Sequence, residues 1–143
     1  VAPGSLDGVF SLAVLEHLAA PWLAAAEISR ALKMGGETVH VTHQSWPVHE
    51  TPNDFFRMSD QALRSLFGPA TGFEVVECGM AYPMVLVPPA QMRHADWLNV
   101  PFGRGFGQSY IRARKVAELG PVASLWGAQD LAGISQHYPN RKP

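Results

Sequence analysis

Two hydrophobic periods alternate along the first third of the chain. Between Asp7 and Leu12, Val9, Phe10 and Leu12 form a short apolar run behind the turn-forming Pro3-Gly4-Ser5. Such a run predicts a buried strand covered on both faces, as in a parallel sheet, although its length also suits a buried helical segment. From Ala20 to Lys33 the spacing becomes helical, with Leu23, Ala24, Ile28, Ala31 and Leu32 on one face and Glu27 and Arg30 spaced i,i+3 on another. Pro21 fits the first turn, where its missing N–H costs nothing. Lys33 is placed at the negative C-terminal end, and Gly35-Gly36 supplies the stop. Thr38 to Thr42 is β-branched around a short apolar core and predicts a second strand. Strand, helix and strand make a βαβ unit, whose two strands are parallel with a right-handed crossover.

Gln44 to Arg57 is a loop rich in Pro, His and aromatic residues. Ser59 starts a helix as N-cap, running through Leu63 and Leu66 to Phe67, with Gly68-Pro69 ending it. Phe73 to Cys78 predicts a third strand and Tyr82 to Val87 a fourth, joined by a tight Gly79–Ala81 connection as an antiparallel pair. Beyond Pro89 the pattern predicts a glycine-rich loop at Gly103–Gly107, a helix over Ser109–Leu119, another over Val122–Leu131, and a frayed end at Asn140–Pro143.

Composition narrows the class. The 143 residues suit one domain, and with 47% apolar and 16% charged residues a packed core is expected. A net charge of -1 gives no electrostatic reason for a nucleic-acid or membrane partner. The single cysteine, Cys78, excludes an internal disulfide and suits a small buried apolar role, so the expected location is cytoplasmic. The apolar stretch Met80–Ala90 is broken by prolines and too short to span a bilayer. The chain opens on Val1 without a basic-then-apolar secretory signal, and is expected to be a partial domain.

Four stretches then resemble one family. Leu6-Asp7-Gly8-Val9-Phe10 through Leu15-Glu16-His17-Leu18, continued by Pro21, resembles the fourth strand of class I S-adenosylmethionine-dependent methyltransferases, with its "fD-x-V … vLEH(l/v)" pattern. Glu27-Ile28 through Arg30-Ala31-Leu32-Lys33-Met34-Gly35-Gly36 is similar to the family's "E-I-x-R-v-L-K-p-G-G", with Met34 where proline is usual. His49, Pro52, Asp54, Phe56 and Arg57 resemble an "H-x-x-P-x-D-f-w-R" loop, and Gly72-Phe73-Glu74-Val75 resembles "G-F-e-v". These run in family order over roughly residues 5–79, and the chain resembles the methyltransferase type 11 group.

The resemblance implies the later half of a seven-stranded Rossmann-like sheet, α/β, with parallel strands followed by an antiparallel pair and flanking helices. It divides the single domain 1–143 into a core over 5–88 and a helical and loop extension over 89–143. It implies S-adenosylmethionine as cofactor, with Ser11, Leu12 and Ala13 lining its methionine side and Glu16 and His17 beside it. Glu16 and His17 have an alternative role in orienting the next helix. The family's glycine-rich turn and ribose-binding acid have no room ahead of Val1, and Gly103–Gly107 follows no convincing strand. The chain in isolation is therefore expected to be inactive.

The loop after the second strand lies where open α/β sheets bind ligands. His43, Trp46 and Arg57 are candidate substrate contacts, and His49 or Asp54 a candidate general base. The favoured alternative has Asp54 pairing with Arg57 and His49 bonding backbone, holding the loop in shape. A zinc site from His43, His49 and Asp54 matches no metal signature, so no metal is expected. Arg93, His94, Asp96 and Trp97 offer a substrate contact or an ordinary surface. Arg112, Arg114 and Lys115 read as a solvated helix face. The acceptor is unknown, with a small molecule favoured. An unpaired first strand predicts a homo-oligomer joined near Asp7–Leu12. The alternative to an enzyme is a non-enzymatic oligomerising module.

Overall fold

The structure, a computed structural model, describes residues 1–85 and 104–119. Strand β1 is Leu6–Leu12, helix α1 Pro21–Ala31, strand β2 Leu32–His43, helix α2 Asp60–Leu66, strand β3 Phe73–Val85 and strand β4 Arg104–Lys115. The sheet runs β1-β2-β4-β3. β1 and β2 are parallel, so the expected βαβ unit is present, while β4 runs antiparallel to both of its neighbours.

The first helix forms as its pattern predicts, with Pro21 at its start and the Glu27–Arg30 pair at 2.8 Å. It stops earlier than expected. Leu32 is already extended and pairs with Leu6, and the register then jumps so that Gly8 faces Glu37. Gly35 therefore serves a bulge with φ +79° at the entry to β2, not a helix stop. Lys33 pairs with Asp7 at 2.6 Å instead of capping α1. Ser59 caps α2 as expected, its hydroxyl accepting from the Ala62 amide at 3.2 Å.

The second half differs more. Phe73–Cys78 and Tyr82–Val85 belong to one continuous strand, β3, so there is no hairpin at Gly79–Ala81. Its partner is β4, formed by residues expected as glycine-rich loop and helix. The stretch 89–143 thus supplies a strand to the sheet and is not only a helical extension. Along β4, Ser109, Ile111, Ala113 and Lys115 are buried while Arg112 and Arg114 are exposed, a period of two. Arg112 and Arg114 grip Glu37 across the β2–β4 pair at 2.8 and 2.9 Å, so they are not a helix face. Lys115 turns inward and its ammonium donates to the Leu32 carbonyl at 3.0 Å. The segments around Arg93–Trp97, Val122–Leu131 and Asn140–Pro143 lie outside the described residues.

One face of the sheet packs against α1 and α2 through Leu15, Ala25, Leu32, Leu63, Leu66, Phe67, Phe73 and Ile111. On β1, Phe10 and Leu12 are 67% and 55% exposed. The strand expected to be buried is thus an edge of the described sheet, with a neighbour on one side only. Among the described residues no helix is long and apolar enough to cross a membrane.

Candidate functional site

The carboxyl ends of the parallel strands β1 and β2 lie side by side, and the chain leaving each one carries the titratable residues. After β1 the backbone turns through Ala13, whose φ of +51° is uncommon for a residue with a Cβ. A short 3-10 turn over Leu15–His17 then buries Glu16 completely. After β2 the chain enters the 44–57 loop, whose start is tied to β4 by the Gln44 amide donating to the Gly107 carbonyl at 2.9 Å.

Glu16 joins these two segments. Its carboxylate accepts from the Thr42 hydroxyl at 2.6 Å and from His43 Nδ1 at 3.2 Å. Its backbone carbonyl accepts from the Phe55 and Phe56 amides at 2.9 and 3.2 Å. His17 Nδ1 reaches the Asn53 carbonyl at 2.7 Å. Glu16 and His17 therefore hold the 44–57 loop, a role that the helix-orienting alternative did not foresee. Burial pushes the His43 pKa down, opposed by the Glu16 carboxylate and reinforced by His49, Arg57 and His17. The burial effect is the larger, so near neutral pH the ring is uncharged, with Nδ1–H donating to Glu16 and Nε2 carrying the lone pair.

The loop is braced as the structural alternative expected. Arg57 forks onto Asp54 at 2.6 and 2.7 Å, and its other N–H groups donate to the carbonyls of Trp46, Pro47 and Phe56. The Arg57 guanidinium and the His49 amide hold the Asp54 carboxyl well below the usual carboxylate range. With both oxygens engaged, Asp54 is a poor proton acceptor. His49 Nδ1 lies 3.1 Å from the Pro47 carbonyl, and its ring sits 4.8 Å from that of His17 and 5.1 Å from that of His43. Trp46 packs against His43 at 4.9 Å and against Tyr82 of β3 at 6.4 Å. A groove of about 550 Å³ beside them is lined by Gln44, Ser45, Trp46, Pro47, Arg57 and Met84.

Seven of the residues singled out in the sequence thus meet in one cluster: Glu16, His17, His43, Trp46, His49, Asp54 and Arg57. Ser11 does not join it, because its hydroxyl bonds the buried His40 ring at 2.6 Å. Leu12 and Val14 are exposed at 55% and 42% beside the cluster. Thr42 was missed, though Thr38, His40 and Thr42 alternate as the inward polar positions of β2, a signal readable in the sequence. Met84 and Tyr82 come from a strand whose extent the sequence did not show.

Comparison with known proteins bears on the fold. Residues 1–40 match the family model described as a methyltransferase domain. No curated protein matches the chain. Among solved structures, the chain is similar to a Haloferax volcanii protein in complex with the Trm112 methyltransferase activator, with TM-score 0.57 and 23% identity over 84% of this chain. It is similar to Burkholderia thailandensis 1,6-didemethyltoxoflavin-N1-methyltransferase, solved with that compound and S-adenosylhomocysteine (TM-score 0.55, 16% identity, 82% of this chain). It is also similar to an S-adenosylmethionine-dependent methyltransferase from Mesorhizobium loti (TM-score 0.51, 14% identity, 80% of this chain). The chain has the fold of a partial class I methyltransferase. It spans 58%, 47% and 63% of those three structures. The cluster lies outside the carboxyl ends of the parallel strands β1 and β2, the end at which open α/β sheets generally bind ligands.

The residues present fit part of the cofactor that this fold implies. Exposed Leu12 and Val14 and the turn at Ala13 form an apolar ledge against which a methionine end could lie. No carboxylate on that ledge is free for a ribose, since Glu16 is buried and engaged.

Proposed function

We propose that the chain is the acceptor-side part of an S-adenosylmethionine-dependent methyltransferase. The observation that carries this reading is the buried Glu16–His43 pair at the carboxyl ends of β1 and β2, beside the groove lined by Trp46 and Arg57. When bound, S-adenosylmethionine supplies the electrophilic methyl group. The chain's own residues hold the acceptor and receive its proton. His43 Nε2 takes the proton as general base, and Glu16 stabilises the resulting imidazolium through Nδ1–H. Trp46 offers an aromatic wall to a small, ring-bearing acceptor, and Arg57 braces the loop that shapes the groove. Ser11 acts through His40, setting the end of β1 beneath the cofactor's methionine side, where Leu12 and Ala13 would touch it. His17 and His49 complete the acceptor side.

Among the described residues no glycine-rich turn follows a strand, so by themselves they are expected to grip the cofactor weakly and to turn over little or no substrate. A second reading, a non-enzymatic module that associates through its sheet edge, is favoured by one observation, the exposed Phe10 and Leu12 on β1. A protein partner is a further option, since the Haloferax volcanii relative was solved with an activator.

Calorimetric titration with S-adenosylhomocysteine tests the first reading. Micromolar binding, weakened by substitution at Ala13, supports it. No heat up to millimolar product means that this stretch does not hold the cofactor alone, and favours the module.

A further inference from the structure

Glu16 is a buried carboxyl group with no direct lysine or arginine contact among the described residues, although Arg57 interacts with it electrostatically. Its side chain is fully buried, and among the described residues no Lys or Arg comes within ion-pair distance of it. Among the described residues its carboxylate bonds the Thr42 hydroxyl and one imidazole. A buried carboxylate is ordinarily paired with a cationic side chain or a metal ion, because stripping its water is costly. The neighbouring groups are of the second kind. Glu16, His43 and His49 each offer one ligand atom, all within 4.8 Å of one another. Glu16 Oε1 and His43 Nδ1 are 3.2 Å apart, close to the roughly 3.4 Å between two ligands of one tetrahedral ion with bonds of about 2.0–2.1 Å.

A second group, His17, His49 and Asp54, shares His49 and satisfies the same distance limit. Its carboxylate, Asp54, is already balanced by the Arg57 fork and held by the His49 amide, so it does not call for a metal ion. Those bonds instead fix the backbone that presents the His49 ring, the supporting role that carboxylates commonly play around metal-bound histidines.

We propose that Glu16, His43 and His49 form a binding site for one divalent ion of the zinc class, with a fourth position open to water or an acceptor oxygen. Two imidazoles and a carboxylate suit a borderline ion such as Zn²⁺ or Co²⁺ better than Mg²⁺ or Ca²⁺, which take mainly oxygen ligands. The ion sits where the sheet ends and the groove begins. It neutralises Glu16 and occupies a His43 lone pair, so the ion-loaded form and the form that takes a proton on His43 exclude one another. The site does not depend on the methyl-transfer reading and would exist in a chain that bound no cofactor.

The test is titration of the EDTA-stripped chain with Co²⁺, followed by its visible absorption, and with Zn²⁺ by calorimetry. One equivalent should bind, with the absorption of four-coordinate Co²⁺ carrying nitrogen ligands, and His49→Ala should weaken it at least about 100-fold. Glu16→Gln should weaken binding while keeping the Thr42 contact. His43→Ala is the stronger deletion, but His43 is buried, so His49→Ala, on the loop, is the variant that remains informative if the former fails to fold. Melting curves in EDTA establish that each variant is folded. Three results would overturn the site: no uptake up to millimolar metal, binding unchanged in folded His49→Ala, or binding abolished only by replacing His94 and His137. Titrating S-adenosylhomocysteine into the stripped chain reports on the cofactor separately, so the two proposals fail independently.

Discussion

The Ser11 hydroxyl and His40 Nδ1 meet at 2.6 Å across the β1–β2 pair, where the His40 ring is fully buried. Thr38 Oγ1 lies 2.6 Å from Nε2 and is 3.3 Å from the Val9 carbonyl, to which it donates. Nε2 therefore carries the hydrogen, and Nδ1 accepts from Ser11. Phe67 stacks on the ring at 4.3 Å.

A pH dependence follows. Burial lowers the His40 pKa from 6.5 to about 4. The unfolded chain therefore takes up a proton below 6.5 that the folded chain refuses, so stability falls as pH drops from 6.5 towards 4. This ring alone should remove about 2 kcal/mol by pH 5, at 1.36 kcal/mol per pKa unit. Urea unfolding at pH 7 and pH 5 measures the loss. In His40→Gln, which cannot titrate, the difference between the two pH values should shrink by that amount. An unchanged difference would show that another group sets the acid limit.

Gly72 ends the 3-10 turn Pro69–Thr71 with φ +82°, and its carbonyl accepts from the amides of Val116 and Ala117 just beyond β4. A Cβ there would run into the Ala117 carbonyl oxygen. Gly72→Ala adds backbone strain to that collision and should cost about 2 kcal/mol or more. Chemical denaturation gives the value, and a change within 0.5 kcal/mol, the usual surface range, would show that the end of β4 can move aside.

Asp54→Asn removes one charge of the Arg57 fork and weakens the acceptor for the His49 amide. Hydrogen exchange of amides within 44–57 should quicken about tenfold while α1 and β2 keep their protection, because the loop opens independently of the core. Equal acceleration throughout would mean that the loop and core unfold together.

The βαβ unit was legible because its signals are local: Pro21 opens the helix, and β-branched Thr38–Thr42 follows within one crossover length. The loop's braces were legible for the same reason, Asp54 and Arg57 being three residues apart. β4 was misread because its inward positions include Ser109 and Lys115, so an alternation of buried and exposed residues does not appear as an alternation of apolar and polar ones. At Gly79, which suggested a turn, the glycine instead lies against the Tyr110 ring inside a continuous strand. The carboxylate beside His43 was hidden by distance, since Glu16 precedes it by 27 residues and no spacing rule joins them.

The place of β4 between β2 and β3 has a consequence for synthesis of the chain. Arg112 reaches back 75 residues to Glu37, and β3 has no described neighbour except β4. Until Lys115 has left the ribosome, the β1–α1–β2 unit can close while Phe73–Val85 still lacks its β4 partner. Chaperone binding to ribosome-held chains should therefore be strongest for nascent lengths at which β3 has emerged and β4 has not.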